Sequence, residues 1–363
     1  MGVEFSSYIK RSRRTSIIAP IIAIITCVVM VIFVGQYVHI FSIIGTAIAA
    51  GIASSATYAR SHHETEKYVR FAIRARLAKK AEPEFDKLTR NFRALGKYVQ
   101  KSAHPSEEIK DALKEAEKNI GMKPGTVMPL VVPLELILGV PHNCPAAAAM
   151  LYAGRHPVVL LDDHLQNMLD TDKDFDKNYK IVVSVLCHEL AHLIGWNTRW
   201  TKLVSIGELF VTTCAISGLA AYSLENSVIF GAIGVSIAAM NLAFEPGPTL
   251  PDHKPSVAGI ISRIALVSWV PFVIIGLGIG LLPIGLTVGV TLLTFGLRSI
   301  LATFRRKQEI YADVISAMAL GTSSPLSDFF RTLTSSYPNV WTRIFSSHPP
   351  VNERIKALRR AKI

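Results

Sequence analysis

Cys187-His188-Glu189-Leu190-Ala191-His192 is the stretch from which the rest of this chain is read. It holds the pattern His-Glu-x-x-His. On a helix, residues four apart share a face, so His188 and His192 stand one turn apart, close enough to share a tetrahedral zinc ion. Glu189 is then placed to take a proton from a water that the metal polarises. The pattern also arises by chance, so its surroundings carry part of the case. Ile181, Val182, Val183, Val185 and Leu186 lead into it as an apolar run. No Gly or Pro interrupts Tyr179 to Ile194, and Gly195 is placed to cap the end. A buried helix with two His and a Glu must satisfy three polar groups in an apolar setting, and a metal does that. Cys187 adjoins His188 in sequence but points elsewhere on a helix, so it reads as a small core residue.

The whole chain is apolar for its size. It has 363 residues, 50% of them hydrophobic, and a mean hydropathy of +0.35. That exceeds an ordinary soluble enzyme and points to a membrane protein with a sizeable polar part. The net charge is +12. In a membrane protein such an excess first means orientation and attraction to anionic headgroups. No nucleic-acid motif accompanies it, so nucleic acid is not an expected partner. The four cysteines, Cys27, Cys144, Cys187 and Cys214, form no CxxC pair and read as reduced.

Four domains follow from the composition. Residues 1–59 give a basic amino terminus and two expected spans, Ile17–Val34 and Val38–Tyr58, joined by Gly35-Gln36-Tyr37. The second span carries Gly45, Ala49, Gly51 and Ser55, small residues that permit close helix contact. Residues 60–202 are polar. Ser61 to Lys123 reads as solvated helices broken at Pro83 and Pro105, with a helix start at Ser106 before Glu107 and Glu108. His62, His63 and Glu64 read as a solvated juxtamembrane face. Val131 to Leu138 reads as a strand. Ala146 to Ala153, a Gly154-Arg155 turn and Pro157 to Leu161 read as a hairpin whose first strand Pro145 marks as an edge. Such an edge beside a zinc site could bind an extended peptide by strand addition. Asp162 to Asp176 lacks the glycine and closing Glu of a calcium loop and reads as a solvated loop. Residues 203–304 form an apolar block of four expected spans, at Leu203–Leu224, Ser227–Phe244, Val257–Ile279 and Leu281–Phe304. Residues 305–363 are polar and basic again.

Charge fixes the expected sidedness. No Lys or Arg falls in the expected outer turns around Gly35, Asn226 and Leu281. Six spans place every Lys and Arg on one side, or close to it as for Arg263 and Arg298, which agrees with the positive-inside rule. The amino terminus, residues 60–202 and residues 305–363 then all lie in the cytoplasm and can meet. Two spans in the middle block with buried or re-entrant segments satisfy the same parity.

A catalytic zinc usually has three protein ligands and one open position. Glu225 falls on the wrong side and Glu208 within an expected span. Glu309 is the better third ligand, expected to open a cytoplasmic helix in Gln308-Glu309-Ile310-Tyr311-Ala312-Asp313. Asp313 lies one turn on and can accept the free imidazole N–H of a ligand His.

The order His188-Glu189-x-x-His192, Glu309-x-x-Ala312-Asp313 and His348-Pro349-Pro350 before Glu353-Arg354-Ile355 resembles the HtpX-like membrane zinc peptidases, the family that includes the CAAX prenyl proteases. The resemblance covers most of Met1 to Leu358. Asn143-Cys144-Pro145-Ala146 stands where the family's substrate-side strand usually reads Asn-Ala-Phe-Ala, and the middle block has four apolar segments where the HtpX branch has two. The resemblance implies Asn143, Ala146 and Ala148 as substrate-binding positions. It also implies His348 or Arg354 as donors to the developing oxyanion.

The expected fold is therefore mainly α: a multi-span helical membrane protein with a cytoplasmic zincin-like α+β catalytic domain carrying a small sheet. The expected chemistry is metal-assisted amide hydrolysis with one Zn2+ per chain on His188, His192 and Glu309, and with Glu189 as proton carrier. The resemblance implies an integral membrane endopeptidase, in a bacterial inner membrane, that removes misfolded or damaged membrane proteins. A CAAX-type protease acting on prenylated carboxyl termini is the rival within the class. A zinc transporter or sensor is the rival outside it, but transporter ligands should sit inside spans, and these do not.

Overall fold

The computed structural model describes residues 3–39, scattered positions between 42 and 55, 105–131, 147–152, 156–170, 174–230 with 233, 272–332 and 348–361. Asn143, Ala146, Cys144, His62, His63 and Glu64 lie outside the described residues. So do the strand expected from Val132 onward and most of the spans expected at Val38–Tyr58, Ser227–Phe244 and Val257–Ile279.

Two units divide the chain. The first comprises Met1–Ser16, His63–Trp200 and Ala302–Ile363, and the second Ile17–His62 and Thr201–Leu301. In the first, β3 (His156–Leu161) is the central strand of a mixed sheet. It pairs in parallel with β1 (Met128–Val131) and in antiparallel with β2 (Ala147–Tyr152), in the order β1-β3-β2. Val158, Val159, Leu160 and Leu161 are all buried, so β3 is covered on both faces and reads as an unbroken apolar run. The expected hairpin is β2–β3, with Ala148 opposite Leu160. Among the described residues β2 is an edge.

Helix α2 (Glu107–Ile120) begins where Ser106 accepts a hydrogen bond from Ile109 N and ends at Gly121, whose φ of 82° gives the left-handed stop. Its buried stripe of Ile109, Ala112, Leu113, Ala116 and Ile120 has helical spacing and packs on α4 (Phe175–Ile194). Helix α3 (Asp163–Asp170) replaces part of the loop expected from Asp162 to Asp176. Leu165 and Leu169, one turn apart, bury themselves, and that apolar pair outweighs the acidic composition. Helix α4 starts at Phe175, four residues before the uninterrupted stretch read from Tyr179. Gly195 at its end keeps right-handed dihedrals, and Trp196 takes the left-handed conformation instead, with φ 64°. Two further helices complete this unit, α7 (Ser324–Thr332) and α8 (Val351–Arg360). They join α2, α3 and α4 around one apolar core. Val182, Leu186 and Leu190 of α4 are wholly buried there, each contributing roughly 1.5–3 kcal/mol.

Among the described residues, three helices are long and apolar enough to cross a membrane: α1 (Val3–Val34), α5 (Asn197–Asn226) and α6 (Ile284–Leu320). They are consistent with a membrane protein. On α1 the side chains of Ile21, Ile24, Ile25, Val28 and Ile32 are exposed, as are Ile284, Val288, Leu292 and Phe295 on α6. Such apolar stripes suit lipid rather than water. Within the second unit, α5 brings Gly207 against Ala23 and Gly218 against Val34. Of the small residues expected to allow close contact in the second span, Gly51 has Phe210 within 3.9 Å, whereas among the described residues nothing comes within 4 Å of a Cβ at Gly45. Glu208 faces Arg298 at 3.6 Å, and Glu225 accepts from Ser42 Oγ at 2.6 Å.

Candidate metal centre and active site

Helix α4 carries its apolar run from Ile181 to Leu186 into the core and then presents His188, Glu189 and His192 at its far end. The two imidazoles turn Nε2 toward Nε2 at 3.2 Å. Glu309 comes from the interior of α6. It does not open a helix, because the apolar segment before Arg305 and the polar segment after it form one continuous helix. Its Oε1 lies 3.3 Å from His192 Nε2 and its Oε2 3.7 Å from His188 Nε2. All three side chains are nearly enclosed.

This donor set fits zinc. Ligand atoms held about 2.0–2.1 Å from a tetrahedral ion stand about 3.3 Å from one another. The two imidazole nitrogens, 3.2 Å apart, match that spacing, and each has an oxygen of the Glu309 carboxylate nearby, Oε1 at 3.3 Å and Oε2 at 3.7 Å. His188, His192 and Glu309 place one ligand atom each within 4.8 Å of the others, the one such group among the described residues. Two imidazoles and one carboxylate make a set that leaves a fourth position open.

Around these three the remaining groups close in. Asp313, one turn beyond Glu309 and wholly buried, brings Oδ1 to 2.8 Å from His188 Nδ1, off the ring's N–H axis. Arg354 from α8 grips Asp313 and reaches 3.7 Å from Glu309 Oε2. Burial works against its guanidinium, but Asp313 outweighs that and raises its pKa further. His348 Nδ1 lies 3.1 Å from Glu309 Oε2, and this bond raises the imidazole's pKa against the effect of burial. Glu189 is buried beside the imidazoles. Its carboxyl is lifted above the usual range chiefly by desolvation, with the imidazoles opposing. A cavity of about 150 Å³ opens onto Glu189, Glu309, His348 and Arg354, and Val185, Leu326, Phe329 and Phe330 form its apolar wall.

The structure thus gathers His188, Glu189, His192, Glu309, Asp313, His348 and Arg354 at one place. Ala148 lies in β2, but its neighbour Ala149 makes the contact, donating its N–H to Glu189 Oε2 at 2.8 Å. A period of two along the strand turns alternate residues apart, and sequence alone left the register open. Asn197 was also unforeseen. Its amide stands 2.8 Å from His192 Nδ1, beyond the end of α4, where no helical spacing points to it.

The family model described as peptidase family M48 matches residues 150–362, more than half of the chain, including His188, Glu189, His192, Glu309, Asp313, His348 and Arg354. No curated protein and no solved structure matches.

Proposed function

Because the chain belongs to peptidase family M48, which implies a zinc metalloprotease, we propose that it is a membrane endopeptidase using His188, His192 and Glu309 as ligands and Glu189 as proton carrier. The convergence of the three ligand atoms beside Glu189 is the observation that carries this reading.

Zinc, when bound there, supplies a Lewis acid that polarises both a water and the scissile carbonyl. Glu189 takes the proton from the attacking water and hands it to the departing amine. Its burial suits that task, since desolvation raises its carboxyl above the usual range and makes it a stronger proton acceptor. Asp313 orients His188 from behind, and Arg354 holds Asp313. His348, on the wall of the cavity that Glu189 also lines, would donate to an oxyanion there.

The Ala149 N–H turned toward Glu189 places the edge of β2 next to the proton carrier. An extended substrate adding to that edge would bring its carbonyl to the site. Lipid-suited stripes on α1 and α6 favour membrane proteins as substrates, and a six-span arrangement, which would gather the basic residues on one side, favours a cytoplasmic site. On this reading the physiological task is membrane-protein quality control in a bacterial inner membrane.

The test is cleavage of an unfolded membrane protein by the purified chain, beside a prenylated peptide for comparison. Zinc at about one per chain, loss of cleavage on chelation and return on adding zinc support the reading. Cleavage that survives complete metal removal would overturn it, and selective cleavage of the prenylated peptide would move the substrate to the CAAX type.

A further inference from the structure

We propose that Asn197 is a positioning residue for His192, and that Ser16 of the amino-terminal helix fixes which way round the Asn197 amide sits. The inference rests on the zinc reading above.

Hydrogen-bond bookkeeping at Ser16 carries it. Ser16 is 1% exposed, and its hydroxyl has one proton to give. Its Oγ lies 3.0 Å from Ser12 O, 2.9 Å from Gly195 O and in close contact with Asn197 Oδ1. Gln308 Nε2 donates to it at 3.1 Å. With Oδ1 facing the hydroxyl, three acceptors compete for a single proton. Turning the amide by half a turn exchanges Oδ1 and Nδ2 within the same space. Ser16 then accepts from Asn197 Nδ2 and Gln308 Nε2 and donates to a backbone carbonyl, so its capacity is filled.

The same half turn decides the state of His192. With Nδ2 toward the ring, Asn197 donates to Nδ1, and the neutral imidazole must carry its proton on Nε2. That nitrogen faces His188 Nε2 and Glu309, where a ligand needs a lone pair. With Oδ1 toward the ring, Nδ1–H donates to Asn197 and Nε2 is left free to bind metal. The orientation that satisfies Ser16 is therefore the one that readies His192.

The local backbone is built for this contact. Trp196 takes a left-handed φ of 64°, costly for a bulky residue, and so turns the chain until Asn197 points back at α4. Arg13 holds that turn by donating to Ile194 O at 2.9 Å and lying over the Trp196 ring at 4.8 Å. A Cβ on Gly195 would collide with Ser12, so only glycine lets α1 come this close. Through Gln308, Ser16 also touches the residue next to Glu309. One hydroxyl thus ties the amino terminus to both ligand-bearing helices.

The test uses the purified full chain, stripped of metal, and reads zinc affinity by chelator competition and the visible spectrum of the cobalt(II) form. Asn197→Ala should weaken zinc about 10- to 100-fold and shift the cobalt bands. Asn197→Asp, which keeps an acceptor oxygen toward Nδ1, should restore affinity to within about threefold of wild type. Ser16→Ala, which leaves the Asn197 side chain in place, should weaken zinc by about three- to tenfold, beyond the modest fall in metal-free melting temperature that the unpaired buried amides bring. Wild-type affinity and an unshifted cobalt spectrum in Asn197→Ala would overturn the proposal while leaving the peptidase reading intact. Unchanged affinity in Ser16→Ala would overturn the Ser16 part. A wild-type chain that binds neither metal would overturn both readings.

Discussion

Arg354 lies along Asp313 with both arms engaged: Nε donates to Oδ2 at 2.8 Å and Nη2 to Oδ1 at 2.6 Å. Asp313 is wholly buried, and its other close neighbour is His188. A single carboxylate therefore joins the ligand helix α4 to the last helix of the chain, and the guanidinium that makes its burial tolerable also stacks on Phe330 at 4.1 Å. Removing one partner of such a pair leaves a charge without compensation, which costs far more than the pair contributes.

Arg354→Ala should therefore destabilise the metal-free protein by roughly 3–5 kcal/mol, seen as a fall in melting temperature in detergent. Arg354→Lys should recover only part of the loss, because an ammonium cannot form both parallel bonds or stack on Phe330. An alanine variant that melts with wild type would show that Asp313 is held by other means.

Glu309→Gln removes the one negative charge among the three ligand atoms while keeping the side chain's shape. Zinc affinity should fall by more than about 100-fold, since a neutral amide oxygen is a poor zinc ligand beside two imidazoles. Metal content after dialysis against a fixed free-zinc buffer measures it. Retention of one zinc per chain would place the third ligand elsewhere.

Much of this centre could be read from residue spacing, and the reasons differ between its parts. His188 and His192 are four apart on a helix whose apolar run was plain, so one short stretch fixed their geometry. Glu309 and Asp313 were legible for the same reason. Their helix was not, because backbone hydrogen bonding is indifferent to the change from apolar to basic side chains at Arg305, and no Gly or Pro interrupts it there. Helix α3 was hidden by its acidic residues, although Leu165 and Leu169 already had helical spacing. Asn197 and Ser16 meet across more than 180 positions of sequence, and only the three-dimensional turn at Trp196 brings the first of them to His192.

Glu189 should set a pH dependence of stability in the metal-free protein. Burial, aided by the charge of Glu309, lifts its folded pKa above the unfolded one. A group shifted that way supports the fold fully below its unfolded pKa, and the support is lost as pH rises through the folded value. Glu189→Gln cannot ionise, so that loss should vanish. At pH 7.5 the metal-free variant should melt above wild type, and the gap should close toward pH 4. An equal or lower melting temperature at pH 7.5 would mean that the imidazoles already compensate the charge.

Cys187 should be inert in the native protein. It is wholly buried, its Sγ faces Ala116 O at 3.8 Å, and burial pushes its thiol up to about 12. Only the thiolate reacts with alkylating agents, so at pH 8 iodoacetamide should leave this position unlabelled over hours and label it fully after denaturation. Peptide mapping distinguishes it from the other cysteines. Native labelling at the denatured rate would show that the core around α4 opens readily.

The apolar helices offer a test independent of the metal. At Gly218 an added Cβ would lie 2.6 Å from Val34 Cγ1 and 3.1 Å from Cγ2, so even a methyl group must push α1 and α5 apart. In lipid the contact between such helices comes from close packing and not from water exclusion, and small residues are what permit it. Gly218→Val should therefore destabilise the protein in detergent by roughly 1–3 kcal/mol, the usual cost of overpacking. Gly45, with nothing among the described residues within 4 Å, is the matched control. Gly45→Val should be neutral within about 0.5 kcal/mol, apart from a small gain or loss in helix propensity. If the two substitutions cost the same, the approach of Val34 to Gly218 does not hold these helices together.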